Sequence, residues 1–265
     1  MRPPGVRRAR MWLRRSRARR SPGAVILGYH SISAPDDDPH ALCVAPARFE
    51  EHLEVLAAHA RPVSLAGLAR ALRDGALPER AVAITFDDGY ADCLHAALPR
   101  LERFDVPATA FVTTGFLGQE FRWDAQARLR QPGGGPAAPP TRRALTPAEL
   151  QRLAASGLVE IGAHSVTHPR LAEIPRDAQR REIRGSRDTL EALTGRRVTS
   201  FSYPHGSAAR ATVAAVREAG FERACGSVFD AARPRHDPWR LPRLWPRDVD
   251  GETFARWLAS WMPRG

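Results

Sequence analysis

Four short polar clusters carry side chains able to bind a divalent cation or move a proton: Tyr29-His30, Asp87-Asp88-Gly89, His164-Ser165-Val166-Thr167-His168 and Tyr203-Pro204-His205-Gly206. Two histidines and one aspartate supply three ligands, which leaves a position for water or substrate, as in catalytic rather than structural sites. Water held at such a cation falls in pKa from ~16 toward ~7 and becomes a nucleophile at neutral pH. The other carboxylate of the Asp-Asp pair is then available as general base. Each cluster is weak alone: Asp-Asp-Gly is an ordinary turn sequence, and a single His30 is more often a satisfied core histidine. Their weight comes from where they fall.

Each cluster follows an apolar run that reads as a buried strand, at about 24–28, 81–86, 158–162 and 198–202, with a further strand at 108–112. Between them lie amphipathic helices. One starts at about Pro46, with Phe49, Leu53 and Leu56 on one face; a second follows a Ser64 cap and aligns Leu65, Leu68 and Leu72. Others are expected across 91–103, from Thr146-Pro147 to Gly157, and across 176–194, 208–219 and 252–261. Strand-helix alternation implies a parallel sheet covered by helices, open or closed, and such folds gather their chemistry at the carboxyl ends of the strands. Chance clustering of carboxylates and imidazoles at several strand ends is a poor alternative. Residues 131–140, QPGGGPAAPP, read as an exposed loop.

The net charge of +11 suggests a nucleic-acid partner until it is divided along the chain. Residues 1–20 hold nine arginines and no acid, so the remainder carries only +2. All 40 basic residues are Arg, which points to compositional bias as much as to a charged groove. No specific nucleic-acid partner is expected. The tail has only Met11-Trp12-Leu13 as an apolar stretch, short of the ~7–15 residues of a secretory signal core. Residues 1–21 therefore read as a basic, disordered tail and 22–265 as one catalytic domain. Clustered arginines near anionic lipid can contribute ~1 kcal/mol each, so the tail is a candidate peripheral membrane contact. The expected location is the cytoplasm or the inner face of the membrane. Cys43, Cys93 and Cys225 are too far apart for a cysteine metal site and argue against a disulfide framework.

Thr85-Phe86-Asp87-Asp88-Gly89, His164-Ser165-Val166-Thr167-His168 and Phe201-Ser202-Tyr203-Pro204-His205-Gly206 resemble, in order and spacing, the first three motifs of the NodB-like polysaccharide deacetylases, carbohydrate esterase family 4. The resemblance covers roughly residues 24–246. It implies an α/β fold of distorted, incomplete (β/α) barrel type and hydrolysis of N- or O-acetyl groups on glycans, commonly with zinc. By position, it implies Asp87 as general base and Asp88, His164 and His168 as ligands of one divalent metal, expected to be Zn2+. The backbone N–H of Tyr203 would help stabilise the oxyanion, with Tyr203, Pro204, His205 and Arg243 facing the substrate.

Many members donate the final proton from a late histidine in a Leu-x-His context, which this chain lacks. A branch resembling the poly-N-acetylglucosamine deacetylases has an early Tyr-His, a position that Tyr29-His30 fits, so His30 is the expected general acid and His236 its competitor. Ser202 stands where many members have an arginine that orients the base; Arg240 or Arg243 would have to supply that charge from a later strand. His205 replaces a more usual aromatic residue. The expected reaction is removal of N-acetyl from an N-acetylhexosamine-containing saccharide. The same machinery would also suit a lipid-linked amino sugar, a formyl group, an O-acetyl ester or a small non-glycan amide, with an inactive glycan-binding protein as a further alternative.

Overall fold

The computed structural model describes residues 11–16, 23–35, 38, 40–121 and 142–262. The proposed loop at 131–140 and most of the tail lie outside the described residues. Among those described, seven strands form one parallel sheet: β1 Val25–Tyr29, β2 Arg61–Pro62, β3 Ala81–Phe86, β4 Ala108–Val112, β5 Val159–Ala163, β6 Ser200–Ser202 and β7 Arg223–Cys225. Their order is β1-β3-β4-β5-β6-β7, with β2 added beside β3. Every residue of β1, β3 and β4 is buried, which is why these strands read as continuous apolar runs rather than alternating ones.

The sheet curls until its edges almost meet. Residues 241–244 bridge the remaining gap. Gly226 donates to the Leu241 carbonyl and Leu241 to that of Ala224, while Gly28 donates to Leu244 and Leu244 to Ile26. Pro242, lacking an N–H, keeps this segment from being a regular strand. The result is the distorted, incomplete (β/α) barrel. Its interior packs Ile26, Ala83, Phe111, Cys225 and Leu241, and is plugged at the amino ends by Leu65, Leu68 and Leu72.

Those three leucines sit on α2, Leu65–Asp74, whose Ser64 cap accepts from the Gly67 N–H and whose end is a left-handed Gly75. Helices α1 Pro46–His59, α3 Leu98–Phe104, α4 Pro147–Ala155, α5 Arg176–Thr194, α6 Arg210–Glu218 and α7 Gly251–Ala259 complete the helical set among the described residues. A five-residue π-helix, Cys93–Ala97, leads into α3. Thr146 and Glu149 form a reciprocal capping box on α4. No helix among the described residues is long and apolar enough to cross a membrane.

Two features differ from the sequence expectation. Residues 223–225 and 241–244 complete the sheet; the first is only three residues long, and Pro242 interrupts the second. Residues 11–16, expected within a disordered tail, are helical and docked on the body: Arg14 Nη1 donates to the Phe229 carbonyl at 2.9 Å, and Arg15 lies over the Trp261 ring at 5.4 Å.

Candidate active site

Side chains alternate across a strand with period two, and this rule assembles the site. On β3 the inward series Ala83, Thr85 runs on to Asp87; on β1 it reaches His30, on β5 His164, and on β6 Ser202. The closing segment repeats the pattern with Leu241, Arg243 and Trp245. All of these meet at the carboxyl-end mouth of the barrel. A cavity of about 380 Å3 there is lined by His30, Asp87, Asp88, His164, His168, His205 and Arg243, among others.

Asp88, His164 and His168 offer one ligand atom each, all within 4.8 Å of one another. Asp88 Oδ1 lies 3.4 Å from His164 Nε2 and 3.3 Å from His168 Nε2. The Nδ1–H of His164 donates to the Ser202 carbonyl at 2.8 Å, fixing the tautomer that leaves Nε2 with a lone pair toward Asp88. One hard carboxylate oxygen and two imidazole nitrogens, convergent and with Asp88 and His164 buried, fit a divalent cation of the zinc type.

The loop 164–168 is clamped from α5. One oxygen of Glu182 accepts the N–H groups of Val166 and Thr167 at 2.9 and 2.8 Å, and the other accepts the Thr167 hydroxyl at 2.7 Å. Asp88, Ser165, His168 and His205 all have φ between 55° and 72°. Such left-handed backbone costs roughly 1–3 kcal/mol per residue and persists only where surroundings over-determine it.

Asp87 is held separately. Arg243 Nη1 and Nη2 each donate to one of its carboxylate oxygens at 2.7 Å, and Nη2 also reaches the Ser202 hydroxyl at 2.9 Å. Nη1 further donates to Thr85 Oγ1 and Nε to the Gly226 carbonyl. Burial pushes the Asp87 carboxyl upward, but the charges of Arg243 and His164 outweigh it and hold the group below its ordinary range. Asp88 is likewise held well below that range, the bonds to His164 and His168 outweighing burial. For His164 burial acts downward, yet Asp87 and Asp88 prevail and raise it.

His30 lines the cavity and stacks on Trp245, with centroids 5.2 Å apart and planes at 25°. Burial lowers its pKa against the pull of Asp88 and Asp87. His236 is placed elsewhere: its Nδ1 accepts the Arg233 N–H at 3.0 Å, and it does not line the cavity. His205 lines the cavity edge-on to His168, at 4.5 Å between centroids, and burial together with His168 pushes it down to about 4.

Three expectations need correction. Tyr203 lines the cavity as expected, but its N–H is committed to the Cys225 carbonyl at 3.2 Å and its hydroxyl to the Trp239 carbonyl, so neither is free for an oxyanion. Pro204 is buried, has no N–H and is absent from the cavity wall. Arg243 does line the cavity, but its guanidinium is spent on Asp87 rather than offered to substrate; Arg240 is exposed. Sequence reasoning passed over Glu182 and Trp245. The period-two run Leu241, Arg243, Trp245 was the signal for the second; nothing local announces the first.

The sequence matches the family described as polysaccharide deacetylase across residues 74–224. It is similar to YxkH of Bacillus subtilis strain 168, 25% identical over 252 residues, or 94% of this chain and 80% of that one. It is also similar to a poly-beta-1,6-N-acetyl-D-glucosamine N-deacetylase of Staphylococcus aureus, 22% identical over 230 residues, 82% and 71% of the two chains. Among solved structures, the Streptococcus pyogenes deacetylase PplD in complex with acetate superposes with a TM-score of 0.74 at 22% identity, covering 91% of this chain and 99% of that one. That likeness speaks for the fold.

Proposed function

Because this chain belongs to the polysaccharide deacetylase family, hydrolases of carbon–nitrogen bonds other than peptide bonds, we propose that it removes the N-acetyl group of an N-acetylhexosamine in a saccharide, with acetate as the second product. The observation that carries this reading is the pairing of two differently held carboxylates. Asp87 is locked by a guanidinium, and Asp88 converges with His164 and His168.

Asp88, His164 and His168 would hold the cation, which when bound supplies Lewis acidity toward water and the amide oxygen. Asp87 acts as general base. Ionised and fixed by Arg243, it receives the proton of the attacking water; among the described residues Oδ1 accepts one N–H and keeps a lone pair for it. His30, from the end of the neighbouring strand β1, gives a proton to the leaving amine. Its lowered pKa makes it a stronger acid when protonated and reduces the protonated fraction at neutral pH.

The oxyanion role passes from Tyr203 to the next N–H along the chain. Pro204 has none, and for the His205 N–H no acceptor is found among the described residues. His205 itself lines the cavity. Loss of one oxyanion donor typically costs ~10²–10³ in rate.

The test is acetate release from N-acetylglucosamine oligomers by metal-stripped protein, before and after adding zinc. Release restored only by the metal is the expected result. Release that is indifferent to metal, or none from protein shown to hold zinc, would overturn the reading.

A further inference from the structure

A second and larger cavity, about 820 Å3, opens beside the first and shares His30, His40, Leu42 and Trp245 with its wall. Arg14, Arg15 and Arg247 line it, and no aspartate or glutamate does. None of the three arginines has an acidic partner within ion-pair distance among the described residues, and here three such side chains line one cavity. Arg14 is pinned by the Phe229 carbonyl, and Arg15 by the Trp261 ring. Arg15 Nε is out of solvent and has no hydrogen-bond partner among the described residues. The remaining wall is apolar and aromatic, with Trp245, Trp257 and Phe229 prominent.

An uncompensated cluster of guanidiniums costs self-repulsion, and that cost is offset when an anion arrives. Planar N–H forks suit phosphate oxygens in particular. The aromatic wall beside them suits a sugar face or an alkyl chain rather than a free ion. Resting on the deacetylation reading above, we infer that this cavity is a phosphate subsite: the substrate is an N-acetylhexosamine carrying a phosphate ester, whose phosphate meets Arg14, Arg15 and Arg247 while its acetamide reaches Asp87. The phosphate has two sources that share this chemistry, a soluble sugar phosphate or a phosphate that links the sugar to a lipid. Met11, Trp12 and Leu13 are exposed on the same helical segment as Arg14, and Met11 itself lines the cavity, so a lipid chain leaving it would meet apolar side chains there.

The experiment uses three probes on the full, zinc-loaded chain: N-acetylglucosamine 1-phosphate, its octyl phosphodiester, and the neutral octyl glycoside. Binding is read by calorimetry on the Asp87→Asn protein, and acetate release on the parent. The phosphorylated probes should bind at least tenfold tighter than the neutral one. Arg247→Glu should bring that ratio toward one, and Arg247→Lys should restore part of it. A lipid source predicts that the phosphodiester exceeds the free sugar phosphate by tenfold or more; a soluble source predicts equality. Equal binding of phosphorylated and neutral probes, or a ratio untouched by Arg247→Glu, would overturn the subsite. Phosphate-selective binding without acetate release from any probe would uphold the subsite and sink the deacetylation reading instead, so the two failures are separable.

Discussion

Arg243 holds Asp87 by both carboxylate oxygens at 2.7 Å, and it does so from a segment that is not a strand but closes the barrel. The charge that keeps Asp87 ionised is thus tied to the closure of the fold. Replacing it with methionine leaves burial as the main influence on Asp87 and moves the carboxyl upward. Arg243→Met should lower kcat/KM at neutral pH by at least about 10²-fold. Its acid limb should shift to higher pH than in the parent. Profiles of kcat/KM against pH for both proteins check this, and coincident acid limbs would rule it out.

The same pair makes a statement about stability. Asp87 has a depressed pKa in the folded protein, so its contribution is present above the unfolded value of about 3.9 and is lost as pH falls through the lower folded value. In Arg243→Met the carboxyl lies higher than in the parent, so the stability lost with the arginine is greatest near neutral pH and shrinks as pH falls and the carboxyl is protonated. Urea midpoints for the two proteins, measured from neutral pH down to about pH 4, should converge on acidification. Parallel curves would show that Asp87 is not linked to Arg243 in this way.

Metal affinity should fall on acidification, and should begin to do so at a higher pH than at a simple carboxylate site. A proton on His164 Nε2 competes directly with the cation, and the carboxylates of Asp87 and Asp88 raise its pKa despite burial. Zinc affinity should therefore fall by up to about tenfold for each pH unit below the His164 pKa. His164→Ala should lose zinc and turnover together, whereas Asp87→Asn should keep zinc and lose turnover. Chelator competition across about pH 5 to 8 measures the first; metal analysis of the two variants measures the second.

Much of this was legible in the sequence because it rests on local rules. Strand β3 and helix α5 fall on their expected bounds, since a buried apolar hexamer and a long amphipathic stretch ending in glycine leave little ambiguity. The convergence of Asp88, His164 and His168 was legible because strand ends come together in any parallel α/β fold. What stayed hidden is non-local. The choice between Arg240 and Arg243 depends on residues 241–244 bridging β7 and β1, a pairing between segments far apart in the chain and interrupted by Pro242. Likewise Tyr203 looked free because its partner, Cys225, lies on a three-residue strand too short to announce itself.

Gly28 offers a steric test of the mouth. A Cβ added there would stand 2.4 Å from the Trp245 ring, which itself stacks on His30 and lies 4.5 Å from the Arg243 guanidinium carbon. Gly28→Ala must move the indole and, through it, the proposed acid and the arginine. A misplacement of about 1 Å can cost ~10²-fold, so kcat should fall about ten- to a hundredfold. Zinc content should hold, because neither group is a proposed ligand. Loss of zinc in step with kcat would point to general disruption instead.

Glu182 is the residue on which the geometry of the second motif turns, although it sits on α5 and is not a proposed ligand. Its two oxygens take the N–H groups of Val166 and Thr167 and the Thr167 hydroxyl, holding a loop in which Ser165 and His168 are both left-handed. With φ at 61°, His168 depends on its neighbours to keep Nε2 beside Asp88. Glu182→Ala removes all three contacts, whereas a glutamine could keep them by turning its NH2 toward the Thr167 hydroxyl oxygen. Groups that orient a ligand in this way commonly account for 10–100-fold in metal affinity. The Glu182→Ala variant should therefore bind zinc about that much more weakly. At saturating zinc it should recover most of its kcat, because Asp87, Arg243 and His30 are untouched. Titration of activity with free zinc separates the outcomes: a rightward shift with a preserved plateau is expected, and a lowered plateau without a shift would show that the clamp does not act through the cation.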